Sequence, residues 1–304
     1  MKALAHSLSR IGVIGIPYNT GSKGLSVEKG AEALRNAGIV DALRRFSEVV
    51  DFGDIRVNLP APDWSDPKLL NPDQVEVLCR ALADKVKAIL DAGYLPFIVG
   101  GDDSVLMGVI EGLRRSLGPK IGMVYMDAHG DFNTPETTPS GIIGGMDVAI
   151  VAGRGPKKLA AMFGHSPLLP EENIVLYGVR DLDPLEAKAL AESKVRVYPR
   201  EKIKSQGAEK AAEEILRYLG SKCGCLYLHI DLDVLDKSVF SAQEFSVPDG
   251  LSKKEFQSTL KVWVKSGKLC GVAIMVFDAG RDPDGSQAKG IVELIAGSFA
   301  EALK

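Results

Sequence analysis

Two short motifs in this sequence carry side chains that suit metal binding. The first reads Asp-Ala-His-Gly-Asp at residues 127–131, directly after the apolar run 121–126. The second reads Asp-Leu-Asp at residues 231–233, directly after the apolar run 225–230. Because alternate residues of a strand point the same way, the polar side chains of each motif should converge at a strand end. The candidate ligands are Asp127, His129, Asp131, Asp231 and Asp233.

The carboxylates of this set indicate what would bind there. Carboxylates packed together without a counter-charge repel one another and raise each other's pKa. Divalent cations would neutralise them, and mostly oxygen ligands with one imidazole suit Mn²⁺ better than a thiolate-bound Zn²⁺. Two ions about 3.5–4 Å apart are the usual arrangement for metal-assisted hydrolysis. A structural interpretation is also open, since Asp-x-Asp after a strand often caps the next helix, but the two motifs together favour metal.

The elements that would position these motifs alternate along the chain. Strand-like apolar runs cover residues 11–16, 49–52, 95–99, 121–126, 174–177, 195–198, 225–230 and 272–277, and helical periodicity covers residues 72–92, 208–219, 253–265 and 287–303. This alternation predicts a three-layer α/β/α, doubly wound fold with a largely parallel sheet of about eight strands. We expect residues 1–304 to form one domain.

Two segments, residues 54–71 and 132–146, are too long for plain connections. Long ordered loops in compact domains are usually functional. The second segment begins directly after the first motif. Ligands of open parallel sheets bind beyond the carboxyl ends of the strands, which is where we expect both loops to lie.

The composition excludes several classes of function. The 304 residues are 45% hydrophobic and 25% charged with a net charge of −3, which is typical of a globular protein and gives no basic surface for nucleic acid. The apolar runs are too short to span a membrane, and the first ten residues lack the apolar core of a signal peptide. We therefore expect a cytoplasmic protein whose partner is a small molecule rather than nucleic acid or a membrane.

Further motifs give a resemblance to the ureohydrolase family of arginases, agmatinases and formiminoglutamases over nearly the whole chain. Gly-Ile-Pro at residues 15–17 resembles the opening strand and loop of the family. Gly-Gly-Asp-Asp-Ser at residues 100–104 resembles its Gly-Gly-Asp-His-Ser, and the two aspartate motifs match its signatures. The resemblance implies two Mn²⁺ per chain, with Asp103 as a further ligand, hydrolysis of guanidino or amidino groups, and a homotrimer or homohexamer.

Residues 131–141 are more similar to arginases than to agmatinases. In arginases, the residues at the positions of Asn133, Thr138 and Ser140 hold the α-carboxylate of the substrate, and the one at Asp183 helps to position its α-amino group. Neutral donors can bind a carboxylate without adding a charge. The plainer interpretations are a turn at residues 133–135 and a helix that begins at Asp183. Because all four residues agree on an α-amino acid, the functional interpretation is favoured.

The sequence departs from the family at three positions. Asp103 stands where a metal-binding His is usual, and its structural interpretation is an N-cap for a helix that starts at Ser104. Gly144 replaces a His with a proton-transfer role, which glycine cannot perform. Val276 stands at the position of a Glu that binds the guanidinium.

Other carboxylates are candidates for the missing roles. Glu244 and Asp278 are candidates for binding a cationic substrate, although each is equally well explained as an ordinary loop carboxylate. With Asp131, they form the set of candidate catalytic residues.

The favoured hypothesis is a Mn²⁺-dependent amidinohydrolase that acts on arginine or a close derivative, such as hydroxyarginine, and releases urea or a urea analogue. The second hypothesis is an enzyme for agmatine, a guanidino acid or a formimino compound. The third is a metal-binding or ligand-sensing protein without catalysis, supported by the changes at Gly144 and Val276. A deacetylase on a similar sheet fits poorly, because the two motifs imply two ions.

Overall fold

Eight parallel strands form one sheet at the centre of the protein. The computed structural model describes residues 8–21, 26–243 and 245–304. The strands are β1 (Arg10–Gly15), β2 (Glu48–Asp54), β3 (Leu95–Val99), β4 (Ile121–Met126), β5 (Ile174–Tyr177), β6 (Arg196–Tyr198), β7 (Cys225–Asp231) and β8 (Leu269–Met275). Their order is β2-β1-β3-β8-β7-β4-β5-β6, and each neighbouring pair runs parallel. The predicted sheet is therefore confirmed.

Helices cover both faces of this sheet. Within the described residues they are α1 (Gly30–Asn36), α2 (Ile39–Arg44), α3 (Pro72–Asp91), α4 (Leu106–Leu117), α5 (Asp147–Val151), α6 (Lys157–Ala160), α7 (Pro184–Ala191), α8 (Arg200–Gln206), α9 (Ala208–Gly220), α10 (Lys253–Lys265) and α11 (Ser286–Ala302). None of these helices combines the length and the apolar character needed to cross a lipid bilayer.

Alternate side chains of each strand enter two separate hydrophobic layers. On β4, Met123 and Tyr125 pack in the layer that contains α3 and α4, whereas Val124 and Met126 pack in the layer that contains α9, α10 and α11. Strands that are buried on both faces read as continuous apolar runs, as they do in this sequence. The three-layer prediction is therefore confirmed.

Helix α4 is not among the helices predicted from periodicity, and two of its buried residues are the glycines Gly108 and Gly112. A Cβ on Gly108 would lie 2.6 Å from the carbonyl oxygen of Cys79, and a Cβ on Gly112 would lie 2.6 Å from the Cβ of Val86. Real Cβ atoms do not approach so closely, so glycine allows α4 to pack directly on α3. Since α4 follows the turn that carries Asp103, this packing also helps to fix that turn.

Strand β8 lies earlier in the chain than predicted. It spans Leu269–Met275 rather than residues 272–277. Val276 has a left-handed backbone with a φ of 58°, and its amide donates to the carbonyl of Gly101 at 3.0 Å. Val276 and Phe277 are both buried, so hydrophobicity alone extends the apolar run past the true end of the strand.

The two long loops contact each other. The amide of Leu70 donates to the carbonyl of Gly141 at 3.0 Å, and Nζ of Lys68 donates to the carbonyl of Thr138 at 2.5 Å. These contacts therefore hold the second loop in its middle as well as at its two ends.

Candidate metal centre and substrate cavity

The carboxyl ends of β4 and β7 bring the two aspartate motifs together, and the turn after β3 adds Asp103. Two groups of three side chains result, and candidate ligand atoms within each group all lie within 4.8 Å of one another. The groups are Asp127, His129 and Asp233, and Asp103, Asp127 and Asp231. Because Asp127 belongs to both, the arrangement suits two cations that share one carboxylate.

Asp127 lies at the centre of the site and is 1% exposed. Its Oδ1 accepts a hydrogen bond from the amide of His129 at 2.6 Å. Its Oδ2 is buried and has no hydrogen-bond partner among the described residues. A buried polar atom without a partner destabilises the folded state. A cation at Oδ2 would remove that destabilisation, so this oxygen fits a metal ion.

His129 supplies positive charge to the site when no metal is bound. Its Nδ1 lies 3.1 Å from Oδ1 of Asp127 and 3.1 Å from Oδ2 of Asp233. Burial alone would lower the pKa of His129, but Asp233 and Asp127 together raise that pKa to about 12. Metal ions would therefore have to displace a proton before the imidazole could act as a ligand.

One imidazolium does not balance the carboxylates around it. Burial and the charges of neighbouring aspartates raise the pKa of Asp231 well above its usual range and that of Asp233 to about 6. Burial and the charge of Asp127 act on the pKa of Asp131 in the same direction. Negative charge in the site therefore remains unbalanced. A donor set of carboxylates with one imidazole matches divalent ions such as Mn²⁺.

Asp103 is available to the site because its neighbour performs the capping. Asp102 is the N-cap of the short 3₁₀ helix Asp103–Val105 and accepts a hydrogen bond from the amide of Ser104 at 3.1 Å. The interpretation of Asp103 as the N-cap is therefore wrong. The side chain of Asp103 is buried, with its Oδ1 2.7 Å from Nε2 of His229.

Asp131 lies beside the two groups rather than within them. Its backbone has a φ of 47°, and its Oδ2 accepts a hydrogen bond from the hydroxyl of Tyr125 at 2.6 Å. This uncommon left-handed conformation occurs where the chain turns from β4 into the long loop. The role of Asp131 as a metal ligand or catalytic residue stays a prediction.

A cavity of about 240 Å³ opens onto this site. The metal-type residues on its wall are Asp103, His129, Asp131, Asp231 and Asp233, and the wall also includes Asn133, Thr138, Ser140 and Asp183. The structure therefore brings all of the predicted metal and substrate residues except Asp127, which is buried behind them, to the wall of one cavity. Their roles there remain predictions.

Asp183 also has a structural role. It is the N-cap of α7, so the plainer interpretation of a helix start is confirmed, and its Oδ2 accepts a hydrogen bond from Nδ2 of Asn133 at 2.9 Å. Its amide donates to Oε2 of Glu186 at 3.2 Å. Burial raises the pKa of Glu186 to about 7, although the amides of Phe132 and Asp183 oppose that rise.

The loop after β8 carries Asp278, a candidate for binding a cationic substrate, but its side chain makes its contacts outside the cavity. Asp278 is absent from the cavity wall. Its Oδ1 accepts hydrogen bonds from the amides of Ser26 and Gly280 at 3.1 and 3.0 Å, and its Oδ2 accepts one from Nε of Arg281 at 3.0 Å. Asp278 therefore joins its own loop to Ser26, and these contacts do not support its prediction as a catalytic or substrate-binding residue. Glu244 lies outside the described residues, so its prediction is untested.

All three departures from the family lie on the cavity wall, and two of them lie beside apolar residues. Gly144 and Val276 line it together with Val27, Ile142 and Phe245. A Cβ on Gly144 would lie 3.8 Å from Cγ2 of Ile142, an ordinary contact, so this position has room for a side chain. The cavity therefore has an apolar section.

The buried residues around the site that sequence reasoning missed include Tyr125, Asp147 and His229. The hydroxyl of Tyr125 lies 3.3 Å from Oδ2 of Asp147. A signal existed for His229, because it lies two residues before Asp231 on β7 and strand alternation places both on one side. For Asp147, which follows a Gly-Gly-Met sequence, nothing in the local pattern indicates burial.

Comparisons with known proteins agree with one another. The model of the arginase family matches residues 9–299. The arginase of Bacillus subtilis (strain 168) is 32% identical over 294 residues, which cover 96% of this chain and 98% of that protein. The crystal structure of arginase from Bacillus cereus has a TM-score of 0.88 at 31% identity, over 95% of this chain and 97% of that one. Entamoeba histolytica arginase in complex with L-ornithine has a TM-score of 0.88 at 25% identity, over 97% and 99% of the two chains.

Replacing Asp127 with Asn should remove both metal ions, because both groups share this carboxylate. We expect two Mn²⁺ per chain in the reconstituted parent protein and close to none in Asp127→Asn. Asp103→Asn should weaken one ion only. Elemental analysis after desalting measures this, and Asp236→Asn is the matched control, since Asp236 accepts from Ser238 outside both groups. A full complement of Mn²⁺ in Asp127→Asn would contradict the assignment.

Glu186 should make the stability of the metal-free protein fall as pH rises. Its pKa is raised from 4.5 to about 7 on folding, so the folded state favours the protonated form. Its contribution to stability is therefore complete below pH 4.5 and is lost as the pH rises through 7. Between about pH 4.5 and pH 8, the unfolding free energy of the parent should fall by roughly 2–4 kcal/mol more than that of Glu186→Gln. Urea denaturation of both proteins at these two pH values tests this. Equal decreases in the unfolding free energy of the parent and the variant would refute it.

Proposed function

Because this chain belongs to the arginase family and is thus a hydrolase of C–N bonds in linear amidines, we propose that it is a Mn²⁺-dependent amidinohydrolase. Its proposed substrate is arginine or a close derivative such as hydroxyarginine, and its product is urea or a urea analogue. The observation that carries the proposal is the pair of ligand groups that share Asp127 at a cavity with polar donors on its wall.

Two divalent cations, when bound, would polarise a water molecule and neutralise charge on the scissile group. The residues of the chain provide the surroundings for that chemistry. Asp231 and Asp233 are buried, so little water screens the field in which the substrate lies. Asp131 lines the cavity and is the carboxylate that we propose to hold a proton beside the reacting group.

The second long loop supports a substrate with an α-amino-acid end. Asn133, Thr138 and Ser140 offer neutral polar groups, which suit a carboxylate. Asp181 and Asp183 lie on the same cavity and offer negative charge, which suits an ammonium group. The related Entamoeba histolytica arginase was solved with L-ornithine, an α-amino acid, which supports this assignment.

The apolar section of the cavity favours a modified substrate over arginine itself. A guanidinium cation is usually bound by carboxylates in charge-assisted hydrogen bonds. Val276 offers no such contact, and Asp278 is engaged in its own loop. With glycine at position 144, the leaving amine lacks a nearby imidazole as proton donor. A hydroxylated guanidine is less basic than arginine and carries less positive charge at neutral pH, so it needs the carboxylate contact less.

The proposed cellular location and oligomeric state are those that the family resemblance implies. We propose that residues 1–304 act as one domain in a cytoplasmic homotrimer or homohexamer. Sedimentation velocity of the purified chain distinguishes these assemblies from a monomer.

Arginine and its amino-acid derivatives should be much better substrates than agmatine, which lacks the α-carboxylate. A panel of arginine, hydroxyarginine, agmatine, a guanidino acid and formiminoglutamate, assayed with Mn²⁺-reconstituted protein, measures kcat/KM for each. Asn133→Ala should reduce kcat/KM for arginine by the loss of about 1.5–3 kcal/mol of a charged hydrogen bond. The same variant should leave agmatine unaffected. Equal efficiency on arginine and agmatine would favour the second class of substrates, and silence across the panel would favour a ligand sensor.

Gly144→His should raise arginine hydrolysis more than hydroxyarginine hydrolysis. A side chain fits there, since a Cβ would lie 4.0 Å from the Cβ of Asp103. An imidazole could then protonate the leaving amine, and each tenfold gain in kcat corresponds to about 1.4 kcal/mol of barrier. Gly144→Gln fills similar space without transferring protons and is the control. Fast arginine hydrolysis by the parent at neutral pH would show that another residue already supplies the proton.

A further inference from the structure

His229 is a buried histidine that belongs to neither group of candidate ligands in the described chain. It lies on β7, with its Nε2 2.7 Å from Oδ1 of Asp103 and its Nδ1 3.0 Å from the hydroxyl of Tyr227. Asp103 comes from the turn after β3, and β8 separates β3 from β7 in the sheet. The contact therefore joins a ligand candidate to a strand that is not its neighbour.

The two contacts permit one arrangement of hydrogens that satisfies each polar atom. The carboxylate of Asp103 can only accept, so Nε2 of His229 carries a hydrogen and donates it. The hydroxyl of Tyr227 then donates to Nδ1, the remaining acceptor. A second hydrogen on Nδ1 would leave the Tyr227 hydroxyl without an acceptor among the residues that the structure describes. The partner tyrosine thus selects the tautomer that donates to Asp103.

Tyr125 holds the imidazole ring of His229 from the neighbouring strand. The parallel register of β4 and β7 pairs Tyr125 with His229, and the two rings stack with centroids 4.4 Å apart and planes 10° apart. The hydroxyl of Tyr125 is itself bound to Asp131 at 2.6 Å. Rotation of the His229 ring would therefore have to displace a second ring that is anchored at its far end.

We propose that His229 is a positioning residue for metal binding by Asp103. Its Nε2–H holds Oδ1 of Asp103, which leaves Oδ2, without a hydrogen bond among the described residues, for the cation. The inference rests on the metal-binding part of the proposed function. A hydrogen-bond partner behind a metal ligand typically changes the metal affinity by about 10–100-fold.

Two amide variants separate positioning from packing. Gln at position 229 can present an N–H close to the place of Nε2, whereas the shorter Asn reaches only the place of Nδ1. We expect His229→Asn to weaken one of the two Mn²⁺ sites by about 10–100-fold and His229→Gln by less than about tenfold. The measurement is a Mn²⁺ titration of the full chain, stripped of metal by chelation, followed by the electron paramagnetic resonance signal of free Mn²⁺. Tyr177→Phe is the control, because it removes a buried hydroxyl whose partner, Thr259, lies away from the site.

The outcomes distinguish this inference from the proposed function. A parent chain that binds no Mn²⁺ overturns both. A parent chain that binds two ions, with Asn and Gln variants of equal affinity, overturns only the positioning role, since a residue that merely fills space responds alike to both. If His229→Asn does not fold, Tyr227→Phe provides the second test. It removes the hydroxyl that selects the tautomer, and we expect the same site to weaken, whereas native affinity would overturn the inference.

Discussion

Aspartate side chains lie buried close together at the carboxyl edge of the sheet, and the free energy of holding their charges there constrains everything around them. A carboxylate removed from water is stabilised only by hydrogen bonds, an opposite charge or a bound cation. The chain supplies some of each. The amide of Asp233 donates to Asp231 at 2.7 Å, the amide of Ala128 donates to Asp233 at 3.0 Å, and His129 contributes a positive charge. The charge that remains matches what bound cations would compensate.

The parallel sheet makes this concentration of charge possible. All eight strands point their carboxyl ends to one edge, so residues that are distant in sequence meet there without long excursions of the chain. The backbone around the site is correspondingly specialised. Glycines allow α4 to lie against α3 behind the turn of Asp103, and Asp131 adopts a left-handed conformation where β4 ends. The long loops then cover the edge and hold each other in place.

Features governed by local pattern were predictable from the sequence. The buried strands and the long amphipathic helices follow from periodicity, and the resemblance to the arginase family is confirmed over residues 9–299. Side-chain contacts between segments that are distant in the sequence were not predictable. Asp278 follows β8 as expected, but its carboxylate accepts hydrogen bonds from the amide of Gly280 in its own loop and from the amide of Ser26, 252 residues away in the sequence, which spacing cannot reveal. His229 was hidden in an apolar run, because its partner, Asp103, lies 126 residues away.

The backbone at Val276 has a consequence for the balance between stability and activity in this protein. A β-branched residue in the left-handed region is strained, typically by about 1–3 kcal/mol, and glycine would relieve that strain. Val276 lies on the cavity wall, with its amide bound to the turn that follows β3. Replacing Val276 with glycine would therefore relieve backbone strain and remove an apolar side chain from the cavity wall in one step, so that fold stability and cavity shape are coupled at this position.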